Sequence, residues 1–552
     1  MASDCDIFYR NGDCMHGGGV HSTELMLLSL LAFVAIFGAI AQKLQRPYPI
    51  VLVIAGLLLS FSPRVPKITL NPDVIFLVVL PPLLYSAAWL TSWREFRYNL
   101  VSIFMLAVGL VAATTFGIAR TVHWVIPDFT WQLGFVLGAV VSTTDAIAAT
   151  SIAKRVGLPQ RIVDVLEGES LVNDASGLVA LEFGLAMVVR SQTPTVLDAV
   201  SRLAYLAVVG IAVGLIIGKV VDLLERFIDD GPIEIAVSIL VPYVSYLAAE
   251  AAHASGVLAV VACGLYLSRR SARFFSPQVR LQAWAVWDAM TFALNGLVFV
   301  LIGLQLPYVR AGIRGYSTWQ LLFYGGSLSL LLIALRVAWM FPGARFAYRV
   351  RTKILHQQYP KPSAKQVFVV GWTGMRGVVA LAAAMSLPEK LANGSPFPQR
   401  NLIIYLTFSV ILVTLVLQGL SLPWLIRMLG LAEMGGPNCE EREARRIVAQ
   451  AALQRLEEAR GQDHPELAPV YEDLKQHYEQ RLALAGDNGE NDPISGHYGR
   501  ALLLKLELLR TERETALSLR SAGRINDEVL RVLEHEMDLR QSELNLAAEA
   551  SA

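Results

Sequence analysis

Charge is what this sequence has least of. Asp, Glu, Lys and Arg make up 17% of its 552 residues, against about 25% in an ordinary soluble chain. The formal net charge is only +1 and no basic patch stands out, so nucleic acid is not an expected partner. No G-x-x-x-x-G-K-[ST] is present, so no nucleotide is expected as a source of work. "HGGGVH" resembles an oxyanion loop, but no G-x-S-x-G elbow accompanies it, and it is expected to be a flexible linker. The polar, acidic start "MASDCDIFYRNGDC" lacks the basic region and cleavage site of a signal peptide. Cysteine is sparse, at four residues. Cys5 and Cys14 precede the first apolar run, and two alternatives stand for them: a disulfide on an oxidising outer side, or two free thiols. Cys263 is expected to be a packing residue and Cys439 a surface one.

What the chain has in abundance is apolar sequence, 54% of its residues. From Glu24 to Gly430 it forms successive runs of about 18 to 25 residues, the length that crosses a bilayer. From Ala432 onward the composition turns abruptly to Glu, Arg, Gln and Leu. Three parts follow: an extracytoplasmic segment over 1–23, a membrane domain over 24–430, and a soluble cytoplasmic domain over 431–552. About thirteen spans are expected, beginning near Glu24, Pro49, Pro72, Tyr98, Trp131, Arg161, Val196, Ile233, Ser255, Val279, Thr318, Lys365 and Arg400. With the N-terminus outside, the inner loops hold about 18 Lys and Arg against about 9 in the outer ones. The expected location is the plasma (inner) membrane, among membrane lipids, with the tail in the cytoplasm.

The chemistry sits in three of these runs. "LEGESLVNDASGLVALEFGLAMVV" from Leu166 carries acids into the sixth span. Asp174 lies about 20 Å along that helix, near mid-bilayer. Ser170 and Asp174 are four apart and share one face; Glu169 and Asn173 form a second such pair about 100° round the helix. Gly168 and Gly177 permit close approach of a neighbour. In the fifth span, "VVSTTDAIAAT" brings Asp145 to similar depth. Thr143 and Thr144 before it disrupt an apolar helix and can satisfy backbone groups freed by a local break. Two carboxylates at one level suit hard alkali or alkaline-earth cations. In the twelfth span, "VGWTGMRGVVALAAA" places Arg376 among Gly371, Gly374 and Gly377, about 16 Å in. A guanidinium there requires a counter-charge, and Glu169 is the natural partner. Asp174 then remains, free for either a metal cation or a proton.

The fifth and twelfth spans are an odd number of spans apart, so they run oppositely. Two interrupted helices in corresponding positions point to inverted repeats around a midplane site. Glu182, Glu250, Asp288 and Arg336 fall nearer the expected span ends and are read as snorkelling or locally paired.

"LPPLLYSAAW" from Leu80, "STTDAIAAT" from Ser142, "GESLVNDASG" from Gly168 and "GMRGVVALA" from Gly374 together resemble the monovalent cation/proton antiporter superfamily, in its electroneutral sodium/proton exchanger branch. The resemblance implies that Asp174 carries the cation and the proton, and that Asn173 marks one-for-one exchange. It makes Asp145, Ser170 and the Thr144 carbonyl further ligands of the transported Na+ (or K+ or Li+). It makes Glu169 and Arg376 a helix-crossing ion pair. It implies no cofactor. It also implies a homodimer of thirteen-helix protomers whose core domain moves as an elevator. Two departures stand out: Ser86 replaces an acid that some members carry near the ion path, and Ala146 replaces a proline that many have after the fifth-span acid. The first bears on ligand count, the second on the shape of the break.

The tail is helical on its own pattern. Apolar residues recur at helical spacing in "YGRALLLKLELLRTERETALSL" and "NDEVLRVLEHEMDLRQSEL". Asn526 or Asp527 can cap the latter, while Gly523 and "GDNGENDPISG" punctuate the helices. A small bundle is expected, as a regulatory element or as a dimer prop. It can pack on itself or on the basic loop with Arg345, Arg349, Arg351 and Lys353.

The expected mechanism is competition of cation and proton for one dehydrated carboxylate, with exchange following if only loaded states cross. A cation channel and an intramembrane hydrolase are the rivals. The channel has no need of a mid-membrane Arg376. The hydrolase needs a Ser–His or metal site, and His253 stands alone near an outer end.

Overall fold

The computed structural model describes all residues except 1–18, 63–71, 190–194, 229, 272–274, 314, 392–393, 432–438, 461–466, 485–492, 525 and 552. Cys5, Cys14, the boundary at Ala432 and most of the "GDNGENDPISG" punctuation lie outside the described residues. The chain divides into two compact units, 1–433 and 434–552.

The first unit is built of helices. Among the described residues nine helical stretches are long and apolar enough to cross a membrane, and three shorter apolar helices accompany them. This is an all-helical, multi-pass membrane protein. In chain order α1 is Gly19–Lys43, α2 Tyr48–Ser60, α3 Pro72–Leu90 and α4 Trp93–Val125. Then come α5 Trp131–Ser142, α6 Ala146–Val156, α7 Gln160–Val189, α8 Val196–Leu224, α9 Gly231–Ala251 and α10 Gly256–Ser268. After these follow α11 Pro277–Leu304, α12 Leu306–Ala311 and α13 Thr318–Ile354, whose last turn is π-helical. The unit closes with α14 Ala364–Trp372, α15 Val378–Met385 and α16 Arg400–Leu429. Helix α1 starts at Gly19, so the second half of "HGGGVH" is a first helical turn and not a linker. A helix start leaves its N–H groups without intrahelical partners anyway, so glycine costs little there.

Burial sorts the helices. Only 22% of the α8 window is buried, against 76% for α5–α6 and 72% for α16. Leu197, Val208, Ile216 and Val220 of α8 are exposed, a face that suits lipid and not water. The interrupted pair α5–α6 therefore lies at the centre of the bundle. Small residues set the closest contacts. A Cβ on Gly214 would overlap the Ala259 carbonyl, and one on Gly303 the Val53 carbonyl, so α8 meets α10 and α11 meets α2 backbone to backbone.

Helix α13 is longer than a membrane requires, at 37 residues. Its far end is anchored by Arg351, which is fully buried. Its guanidinium lies over the rings of Tyr98 and Tyr359, 4.4 and 3.6 Å from their centroids, and bonds Asn99 Oδ1 at 3.2 Å. Arg351 is thus turned inward and does not belong to the exposed basic loop expected from sequence.

The second unit contains α17 Cys439–Arg460, α18 Ala468–Leu484, α19 Pro493–Ser521 and α20 Asp527–Ser551. Helices α19 and α20 close on a small core of Leu509, Ala516, Leu530 and Met537. Asn526 caps α20 by accepting the Val529 N–H at 2.8 Å, and Gly523 turns the chain at φ 69°.

Candidate functional site

The site begins with a failure of helix. After Ser142 the chain runs extended through Thr143 and Asp145, with ψ of 140° and 114°. It re-enters helix with Asp145 as N-cap, its Oδ1 accepting the Ile147 N–H at 2.8 Å. An aspartate at an N-cap satisfies an orphan donor and faces the positive end of the helix dipole. The break therefore forms without the proline that Ala146 replaces. Helices α14 and α15 are separated in the same way over Thr373–Gly377. The two breaks cross: the Asp145 N–H donates to the Met375 carbonyl at 2.9 Å.

The crossing assembles opposite charges at matching helix ends. Asp145 presses on Gly377, the N-cap of α15, where a Cβ would overlap its carboxylate. It thus faces the starts of both α6 and α15. Arg376 takes the opposite ends. Its Nε donates to the Val141 carbonyl in the last turn of α5 at 2.9 Å, its Nη1 donates to the Gly374 carbonyl just after α14, and its own N–H donates to Thr414 Oγ1 at 3.2 Å. Thr414 opens a π-helical turn of α16. An anion at helix starts and a cation at helix ends offset the dipoles that interrupted helices expose.

Helix α7 supplies the rest. Ser170 donates to the Thr144 carbonyl at 3.0 Å. Asn173 Nδ2 donates to the Thr144 hydroxyl, which donates in turn to Glu169 Oε1 at 3.0 Å. Glu169 does not pair with Arg376, as the sequence suggested. Arg336 of α13 takes it, Nη1 to Oε1 at 2.5 Å and Nη2 to Oε2 at 2.9 Å, with both side chains nearly inaccessible, at 1% and 2% exposure. Arg336 is therefore no snorkelling residue. Because α13 runs on to Ile354, Arg336 lies at its midpoint, and the loop basics at its end disguised this. Gly374 is where Arg336 passes, since a Cβ there would overlap its Cδ. Of the other residues expected at span ends, Glu182 is locally paired, with Arg202 at 3.2 Å.

Asp174 stands apart. It is 5% exposed, and no hydrogen bond or ion pair among the described residues reaches its carboxylate. The charge that acts on it is that of Asp145. The structure thus brings Ser170, Asn173 and Glu169 onto Thr144 beside Asp145, with Asp174 one turn beyond Ser170 on α7 and Arg376 at the other side of the break. Sequence reasoning missed Arg336 and Thr414, both isolated polar residues in apolar helices, which was the available signal.

Paired carboxylates beside two crossed, interrupted helices inside a bundle are the arrangement expected at the midplane site of a secondary transporter. Comparison with known proteins is consistent with that class. The model of the family "Sodium/hydrogen exchanger, transmembrane" matches residues 29–428, and the chain belongs to this family. It is 35% identical over 540 residues to an uncharacterized Na(+)/H(+) exchanger of Mycobacterium tuberculosis, covering 95% of this chain and 97% of that one. It is 34% identical over 455 residues to a sodium, potassium, lithium and rubidium/H(+) antiporter of Bacillus pumilus, covering 80% of this chain and 67% of the other. The solved structure of the sodium proton antiporter of Methanocaldococcus jannaschii at pH 8 shares the fold. Its TM-score is 0.57 at 20% identity, over 75% of this chain and 100% of that one.

Proposed function

We propose that the protein exchanges a monovalent cation for H+ across the plasma membrane, one for one, with cation and proton competing for Asp174. Na+ is the first choice, and Li+ and K+ are the alternatives that the names of relatives support. The observation that carries this reading is the buried, unbonded Asp174 carboxylate facing Asp145 at the helix crossing. The Asp145 carboxylate is engaged by the Ile147 N–H and by the two helix starts. It serves as a fixed ligand, with the Ser170 hydroxyl and Thr144 carbonyl as neutral oxygens beside it. Asp174 alone then changes occupant, carrying either a cation or a proton. Bare Asp174 is an uncompensated charge and does not cross, whereas both loaded states do, and obligatory exchange follows. The crossing unit moves as an elevator within a dimer of thirteen-span protomers, N-terminus outside and tail inside.

The test is a cation pulse to proteoliposomes loaded with a pH dye, one cation at a time. Coupled proton movement that generates no membrane potential supports the scheme. Cation movement without protons, or a potential that grows with transport, contradicts it.

Two further outcomes are expected. Gly377→Ala drives a Cβ into the Asp145 carboxylate and lowers the exchange rate by about a hundredfold, the cost of misplacing a reacting group by about 1 Å. Gly371→Ala, whose Cβ would press on the flexible Met340 side chain at 3.1 Å and make ordinary contact with Val337 at 3.4 Å, retains near wild-type rate. Equal rates for both variants would remove Asp145's position from the mechanism. Truncation after Leu431 leaves exchange possible, since every proposed ligand lies upstream, and changes its pH or cation dependence. Complete loss of transport in a truncated protein that is still folded and dimeric would contradict this.

A further inference from the structure

A cavity of about 400 Å³ opens between α3, α9 and α11, lined in part by Ser86, Ser238, Arg280, Trp287, Asp288 and Thr291. Asp288 was expected to sit near a span end. It lies instead in the middle third of α11, twelve residues into a 28-residue helix. Its carboxylate has no ion-pair partner among the described residues.

Four polar residues of α11, Arg280, Asp288, Thr291 and Asn295, recur at spacings that keep them on one face, while Gln278 and Gln282 fall on the other side near the helix start. Arg280 is about 12 Å nearer the start of the helix than Asp288, at the end of the bundle bearing the basic loops. Asn295, one turn beyond Thr291, is buried, and Tyr48 packs on the same helix against Phe292 and Phe299. Tyr48 in turn is close enough to feel the charges of both Asp288 and Asp145. Polar groups therefore lead from the cavity lining through Thr291 to the buried Asn295, with Tyr48 packed on the same helix.

The hydroxyls along it are suited to cations. Thr291 donates its proton to the Trp287 and Asp288 carbonyls, at 2.8 and 3.1 Å. Ser86 donates to the Leu83 carbonyl at 3.1 Å. Each hydroxyl spends its hydrogen on its own helix and keeps oxygen lone pairs for the cavity. Hard oxygens with one carboxylate match an alkali cation. Arg280 opposes this, because a guanidinium at the mouth of an apolar, aromatic cavity repels cations. Asp288 is the charge within the cavity that offsets it.

We propose that Asp288 is the capture residue of this access cavity. It draws in a monovalent cation, holds it with the Thr291 and Ser86 oxygens, and passes it along Tyr48 and Asn295 to Asp145 and Asp174. This rests on the exchange reading above. It assigns Asp288 to the apparent affinity from one side of the membrane, not to turnover.

The test uses the full-length protein in everted membrane vesicles, with Na+ added to the outer, originally cytoplasmic face and proton flux followed at two ionic strengths. Asp288→Asn is expected to raise the apparent KM for Na+ about tenfold, as loss of a focusing charge does, with the rate at saturating Na+ kept. Asp288→Glu should retain wild-type KM. Arg280→Gln should lower KM, and the KM of wild type should rise with ionic strength more steeply than that of Asp288→Asn. A purely structural role would not shift KM in opposite directions for Asp288 and Arg280. Unchanged KM in a folded Asp288→Asn protein overturns the proposal, as does loss of rate with KM unchanged. If that variant fails to fold, Arg280→Gln decides: unchanged KM there overturns the capture role. Absence of Na+-driven proton flux in the wild type is a separate failure, of the exchange reading itself.

Discussion

Asp174→Asn abolishes cation-driven proton movement and leaves a folded protein in the membrane. The substitution keeps the shape of the side chain and removes its charge and its proton. No neighbour loses a bond to it, because none among the described residues is bonded to its carboxylate. Asparagine also brings amide donors of its own into a site that is 5% exposed and feels the Asp145 charge. Stability is therefore kept or slightly raised, since one of two facing carboxylates has gone. Transport has no such substitute, for an amide neither titrates nor balances a cation. The measurement is the cation pulse in proteoliposomes, beside a melting curve in detergent. A rate near that of wild type would remove Asp174 from the carrier role, whatever the relatives do. Asp145→Asn acts differently: it removes a charge shared by two helix starts. It is expected to abolish exchange or to raise the apparent KM for the cation, with some loss of stability.

The two acids were legible in the sequence because charge inside an apolar run is costly and so stands out. The interruption of the helices was legible for a similar reason: "STTD" and "TGMRG" have no place in a continuous apolar helix, and the breaks fall at 143–145 and 373–377. Pairing was not legible. Glu169 has two arginines within electrostatic reach, Arg336 and Arg376. Which of them bonds it depends on α13 extending 37 residues, a length the loop arginines at its end conceal. Arg376 looked as if it needed a carboxylate, but two backbone carbonyls at the helix breaks supply its partners. Those carbonyls exist only because α5 and α14 stop, so the partner of the charge was the backbone break itself. Asp288 was also read as nearer a span end and lies instead in the middle third of α11.

Removing either member of the Glu169–Arg336 pair leaves the other as an isolated buried charge, and each single change is expected to cost about 3–5 kcal/mol. The two side chains form a bidentate contact, the geometry in which guanidinium and carboxylate bind most strongly. Glu169→Ala also strips the Thr144 hydroxyl of its acceptor, and so loosens the Asn173 contact that depends on it. Arg336→Ala leaves Glu169 with that hydroxyl alone. The double change Glu169→Ala with Arg336→Ala should cost far less than the sum, because no unpaired charge survives it. The combination of Glu169→Ala with Arg376→Ala should show a distinctly smaller coupling. The Arg376 side chain is bonded to backbone carbonyls, and its loss uncovers those whether Glu169 is present or not. Thermal melting of the three single and two double variants beside wild type measures both couplings under one set of conditions. Equal coupling of Glu169 to the two arginines would mean that the pair is shared. A larger coupling to Arg376 would restore the pairing that the sequence alone suggested, and would make Arg336 a bystander despite its contact.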